Sequence, residues 1–221
     1  MVDIFDEVDE ELRAERTQQL LKRYGWLIVA AVLVVLGATA GWQAWRWYEA
    51  RQDQAAAVEY LTAMTLADAT AAGTSAANRT ASIAAFDKLA GTAPEGYRTL
   101  ARLRDAALKA DAGELPAAAA LWDQVATDTS ADPLLRDLAR LLWAEHQIDS
   151  GDPSLLETRL KALATPENPW RPLAEEQLAL LDMRLGKTDQ AKATLRRLAQ
   201  DVTAPNGVRG RANGLLNRLG G

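Results

Sequence analysis

Residues 112–126 read AGELPAAAALWDQVA, residues 150–164 SGDPSLLETRLKALA and residues 185–199 LGKTDQAKATLRRLA. Aligned on Gly113, Gly151 and Gly186, which lie 38 and 35 residues apart, they share one register. Twelve positions before each glycine stand Ala101, Ala139 and Ala174; seven before stand Ala106, Ala144 and Ala179. Five after come Ala118, Leu156 and Ala191, and nine after come Trp122, Leu160 and Leu195. Val125-Ala126, Leu163-Ala164 and Leu198-Ala199 close each copy, and Pro133, Pro169 or Pro205 follows. Phe86, Leu89 and Ala90 form an earlier copy of the second half.

This pattern predicts a helix-turn-helix unit. Each glycine ends a first helix, because it tolerates the left-handed conformation that such an end requires. The small residues let paired helices approach, the larger apolar residues fill the space between neighbours, and proline opens the next unit. One such unit cannot bury its apolar face alone, so the units stack. Residues 205–219 carry Gly207, Gly210 and Gly214. Each costs helix stability, and the stretch reads as a weak capping helix.

Composition agrees with an all-α chain. Of 221 residues two are phenylalanine, and alanine, leucine and arginine dominate, a helix-former balance. With no cysteine and a single histidine, His146, disulfide frameworks, thiolate metal sites and multi-histidine sites are excluded. Net charge is −5 without a basic block, so no nucleic-acid partner is expected.

Upstream of the repeats, residues 26–45 read WLIVAAVLVVLGATAGWQAW, without a charge and with Thr39 and Gln43 as the polar side chains. As a helix this stretch is about 30 Å long, the hydrocarbon thickness of a bilayer. Trp42, Trp45, Trp47 and Tyr48 stand at its far end, where amphipathic rings prefer the headgroup level. Two other readings compete with an anchor. One is a buried core helix, although such runs are usually shorter. The other is a cleaved secretory signal, with Ala38-Thr39-Ala40 as the small-x-small site. Against cleavage, the preceding segment is long and carries seven acidic residues, unlike a short positive leader. Arg13, Arg16, Lys22 and Arg23 precede the span, whereas Arg46 and Arg51 follow it closely. The N-terminus is therefore expected in the cytoplasm and the chain after the span outside it.

The expected division is a cytoplasmic tail over 1–24, a transmembrane helix over 25–47 and an exported domain over 48–221, with repeats near 77–205. Within the tail, Ile4, Phe5, Val8 and Leu12 give a partial helical stripe amid charge, readable as a solvated end or as a short amphipathic helix. Glu49 to Ala72 has Ala56, Tyr60, Ala63, Met64 and Ala67 at helical spacing, and Gly73 to Ala77 reads as a loop.

The repeat resembles the tetratricopeptide repeat over about residues 97–205. It departs from it where Arg102, Arg140 and Glu175 replace the family's tryptophan. The layout as a whole is similar to the ancillary subunit family of the bacterial SecYEG translocon. The likeness lies in the acidic N-terminus, the LKRYGWLIVA entry, the GWQAWRWYEARQDQAAAVEYLTAM exit and GYRTLARLRDAALKADAGELPAAAALWDQVA. That resemblance implies an inner-membrane protein beside the translocon, working with a periplasmic chaperone on emerging protein clients. The open alternative is a periplasmic scaffold of cell-envelope assembly or cell division.

No catalytic constellation or cofactor motif is present. His146 has no positioned nucleophile, and Gly207 and Gly210 lack the strand and lysine of a phosphate loop. Trp122, Trp143 and Trp170 read as packing residues. The expected site is a surface. First helices line the concave face of such solenoids, and the resemblance puts Leu100, Leu103 and Ala107 there in the first unit. It puts Leu138, Leu141, Glu145 and Ile148 there in the second, and Leu173, Glu176, Leu180 and Met183 in the third. Several of these leucines are equally readable as core. Trp26, Leu36, Trp42 and Trp45 mark the span and its lipid contact.

Overall fold

A computed structural model describes the backbone of residues 4–71 and 76–220, and side chains over 25–68, Ile28 excepted, and 77–220. Every element among the described residues is helical: α1 (Ile4–Ala71), α2 (Ala76–Thr92), α3 (Glu95–Asp111), α4 (Leu115–Thr127), α5 (Pro133–Gln147), α6 (Pro153–Leu163), α7 (Arg171–Arg184), α8 (Thr188–Gln200) and α9 (Asn206–Arg218). The chain divides into two units, Met1–Gln52 and Asp53–Gly221, and α1 contributes to both.

In the first unit the helical backbone begins at Ile4, so the stretch read as a possible solvated end is regular helix. The side chains of that stretch lie outside the described residues. From Trp26 to Gln52 the described side chains are exposed, apart from a half-buried Ala30. Within Gly25–Asp68 the most apolar window has mean hydropathy 2.0, and none of it is buried. This is one helix long and apolar enough to cross a membrane. The Thr39 hydroxyl is satisfied within the helix, reaching the carbonyls of Val35 and Leu36, each at 2.9 Å. At its far end each tryptophan meets a charge one turn on. Arg46 lies over the Trp42 ring at 5.5 Å and Arg51 over Trp47 at 3.8 Å, while Trp45 donates to Glu49 at 2.7 Å.

In the second unit consecutive helices pack from α2 to α9, and α3, α5, α7 and α9 also neighbour one another in that order. The first helices thus form one layer, with α4, α6 and α8 behind it. Ala101, Ala106, Ala139, Ala144, Ala174 and Ala179 are fully buried, as the register requires. So are Ala118, Leu156, Leu160, Ala191 and Leu195 of the second helices. Three apolar clusters result. Ala56, Ala63 and Ala67 of α1 join Phe86 and Leu89 of α2, with Tyr60 edge-on to Phe86 at 5.4 Å. Trp122, Trp143, Leu156 and Leu160 centre the largest, and Leu195, Leu198, Val208, Ala212 and Leu216 form the last. Leu173 packs against both of these.

The turns depart from the glycine rule at one place. Gly113 and Gly186 have φ of +83° and +73°, the left-handed ends expected of them. Gly151 does not. A Cβ there would stand 2.9 Å from the Gln147 carbonyl oxygen and 3.2 Å from Leu156 Cδ1. Gly151 is needed for close approach, not for handedness. Proline also does more than open units: Pro116 and Pro153 sit at the start of second helices, where the missing N–H costs nothing. Ala76 and Ala77, read as loop, already belong to α2, and the rest of that loop lies outside the described residues.

Arg102 and Arg140, which stand where the tetratricopeptide pattern has tryptophan, tie their helices to the C-terminal end of α4 and the turn that follows it. Arg102 pairs with Asp128 at 3.0 Å, and Arg140 donates to the Ala126 carbonyl at 3.1 Å. In the third unit Arg171 makes the equivalent tie, to Asp201 at 2.8 Å. Asp128 and Asp201 each accept from a hydroxyl two residues on, Ser130 and Thr203, which holds both carboxyls below their ordinary pKa. Asp152, the N-cap of α6, is lowered in the same way by Ser154. At Arg102 an ion pair with a turn residue thus stands where the pattern has a large ring.

Candidate interaction groove

The first-helix layer opens into a cavity of about 690 Å³ between α5, α7 and α9. Helix α7 supplies its floor with Leu173, Glu176, Gln177 and Leu180, spaced as one helical face. Leu141 and Glu145 of α5 form one wall. Arg211, Gly214, Leu215 and Arg218 of α9 form the other, again on one face.

Five expected surface residues, Leu141, Glu145, Leu173, Glu176 and Leu180, therefore meet in one groove. The others do not. Leu100 stands on α3, away from it, and Leu103 is part of the central core. Leu138 and Ile148 are half-buried against that same core, and Met183 packs against the last cluster. Leu141 is itself only 4% exposed, so it supports the groove from within the core. The Ile148 and Gly151 carbonyls accept from Arg184 at 2.5 and 2.7 Å, which fastens the end of α5 to α7.

The α9 wall went unread in the sequence. Its signal is the alanine register: Ala101, Ala139 and Ala174 are continued by Ala212, at spacings of 38, 35 and 38 residues. Ala212 is fully buried like the others, so α9 is the first helix of a fourth unit and not only a cap. The register then equates Arg211 with Leu138 and Leu173, Gly214 with Leu141 and Glu176, and Arg218 with Glu145 and Leu180. Gly214 makes the room. A Cβ placed on it meets nothing within 4 Å, where the preceding units carry a leucine or a glutamate.

Electrostatics divides the groove. Glu176 is 3% exposed, and Arg211 grips it with two parallel bonds, Nε to Oε1 at 2.6 Å and Nη2 to Oε2 at 2.5 Å. Those bonds outweigh the burial of Arg211 and raise its pKa further. A buried carboxylate is tolerable when paired in this two-pronged way. Gln177 is 8% exposed, and its Oε1 has no hydrogen-bond partner. Arg218 and Glu145 are exposed and make no ion pair among the described residues.

No catalytic arrangement stands in the groove. His146 lies outside it: its Nδ1 donates to the Leu142 carbonyl at 2.9 Å, and its ring stacks 4.5 Å from Trp122. Trp122 and Trp143 are core residues, and the half-buried Trp170 donates to the Leu134 carbonyl at 3.0 Å. No group of three or more His, Asp or Glu among the described residues is placed to hold a metal ion.

No curated protein and no solved structure matches the chain. The family model of the tetratricopeptide repeat-like domain matches residues 18–141, which begins ahead of the repeats and ends within α5. Domains of this kind are protein-interaction modules. The match takes in more than half of the chain, which belongs to the tetratricopeptide repeat-like domain family.

Proposed function

We propose that this protein is a membrane-anchored interaction module in which α1 holds the repeat domain at the outer face of the inner membrane. Residues 1–24 stay in the cytoplasm, residues 25–47 cross the bilayer, and residues 48–221 are exported. The observation that carries the reading is the groove on the first-helix layer, where Leu173, Leu180 and Leu215 present apolar surface beside a bound Glu176–Arg211 pair. A groove of this kind suits a protein segment better than a small metabolite, since it is open and spread over three helices, whereas a metabolite site encloses most of its ligand. The similarity of the layout to the ancillary translocon subunits supports SecYEG as the membrane partner. On that reading the clients are emerging proteins, shared with a periplasmic chaperone.

The test is copurification of the full chain through a mild uncharged detergent, with the associated membrane complex identified. Leu180→Asp and Gly214→Leu are the informative variants. Leu180 lines the groove at half-buried exposure without joining a core cluster, so its charge enters the groove rather than the core. Leucine at 214 fills open space and removes a helix glycine worth about 1 kcal/mol, so the fold should strengthen as the groove closes. Both should release the client and chaperone and leave helix content unchanged. Retention of every partner by both variants would remove the groove from the function. Association with a cell-division or envelope-assembly complex in place of the translocon would move the protein to that role.

A further inference from the structure

Three helices bring an ordered row of side chains across the groove. The register places Glu145, Leu180 and Arg218 at equivalent levels of α5, α7 and α9, and all three line the cavity. Read across, the row is acidic, apolar and basic. Arg211 and Glu176 hold each other directly, whereas Glu145, although the Arg211 charge acts on it, and Arg218 are exposed and make no ion pair among the described residues. Beside the row, Gln177 is more than nine-tenths buried and its carbonyl oxygen has no donor. The other buried carboxylates of the repeat domain, Asp105 and Glu175, lie outside the groove and are paired, Asp105 with Lys109 at 2.5 Å and Glu175 with Arg197 at 3.4 Å.

From this we infer that the groove takes an extended protein segment with a basic residue at one end, aliphatic residues in the middle and an acidic residue at the other. The basic group meets Glu145, the aliphatic side chains lie over Leu180 and Leu215, and the acidic side chain meets Arg218. Neighbouring helix axes lie about 10 Å apart, so the two outer charges are separated by roughly 20 Å. An extended chain advances about 3.3 Å per residue, which puts the two charged residues about six positions apart. A purely apolar segment would leave both groove charges without partners, and a strongly acidic one would set like charges against Glu145. The inference rests on the groove reading proposed above, whose failure the experiment separates from its own.

The probe is a short fluorescent peptide, capped at both termini, with leucines and alanines between one lysine and one aspartate six positions apart. It is titrated against the full chain in an uncharged detergent. Three twins are compared: lysine replaced by glutamine, aspartate by asparagine, and aspartate by lysine. Loss of the aspartate charge should weaken binding about tenfold, as removal of a charge-assisted hydrogen bond does. Arg218→Glu should weaken the parent peptide by at least as much and should favour the lysine-for-aspartate twin. Arg218 ends the exposed face of α9 and no fold contact depends on it, so this reversal reads recognition and not folding. Equal binding of the parent and its charge-deleted twins, blocked by Gly214→Leu, would overturn the charge pattern and leave the groove intact. Binding indifferent to Gly214→Leu, or no binding by any of the peptides, would overturn both.

Discussion

Residues 26–47 and helix α8 are both regular helix, yet they dispose of apolar surface in opposite ways. Along the first, Leu27, Val29, Leu33, Val35 and Leu36 point in every direction and all are exposed. Along α8, Ala191, Leu195 and Leu198 are fully buried, and the positions between them carry Lys192, Arg196 and Arg197. Helix propensity does not distinguish the two, since alanine and leucine serve both. The arrangement of charge does. A helix with an apolar stripe needs one protein neighbour, and a helix apolar all round needs a solvent that is itself apolar.

The largest effect should come from giving the first region a trait of the second. Val34→Arg puts a charge near the centre of the span at a cost of about 2.5–3.5 kcal/mol. It should shift the protein from the membrane to the soluble fraction, whereas the wild type keeps an intact N-terminus and carries a reporter fused after Leu219 to the exported side. N-terminal sequencing that finds mature protein starting at Gly41 would make Ala38-Thr39-Ala40 a cleavage site and remove the anchor.

The second effect tests the stripe of α8. Leu195 is fully buried among Ala179, Leu198 and Val208. Leu195→Ala should cost roughly 2–5 kcal/mol in urea unfolding of the detergent-solubilised chain. A loss below about 0.5 kcal/mol, the range of exposed sites, would break the register that unites the repeats.

That register was open to reading because close helix packing admits only small residues at fixed levels. The alanines at 101, 139 and 174 and the leucines at 160, 163, 195 and 198 all follow from it. Other features could not be read the same way. A first helix in such a stack meets its own second helix and also the next first helix, so two of its faces are apolar. Nothing in the spacing tells which face stays open, and Leu103 and Leu141 turned out to lie in the core. Gly151 looked like Gly113 and Gly186 because a glycine required by handedness and one required by contact are the same letter. Arg211 and Arg218 were passed over because the glycines of α9 spoke for weak helix. One of those glycines, Gly214, is what opens the groove beside them.

The smallest expected effect belongs to a charge buried in the repeat domain, whose interior is mostly apolar. Asp105 is fully buried on α3. Burial pushes its carboxyl up to about 6, against the pull of Lys109 at 2.5 Å; Asp87, bound to the same ammonium at 2.9 Å, adds to the rise. Burial also works against the Lys109 ammonium, but its bonds to Asp105 and Asp87 prevail and raise its pKa, so Lys109 stays charged throughout the acidic range. A folded-state pKa above the unfolded value of 3.8 means that the folded chain holds this proton more tightly. The stabilisation from Asp105 is complete below pH 3.8 and is lost as pH rises through about 6. Between pH 5 and 7 the wild type should therefore lose on the order of 1 kcal/mol relative to Asp105→Asn, which has no charge to bury. Asp182 is also raised by burial, so the comparison is between the two slopes and not within the wild-type profile. Asp128, Asp152 and Asp201, whose pKa values are lowered, titrate below this window and cancel from it. Parallel stability profiles for wild type and Asp105→Asn from pH 5 to 7 would mean that Lys109 compensates fully, leaving the buried carboxylate as innocuous as the leucines around it.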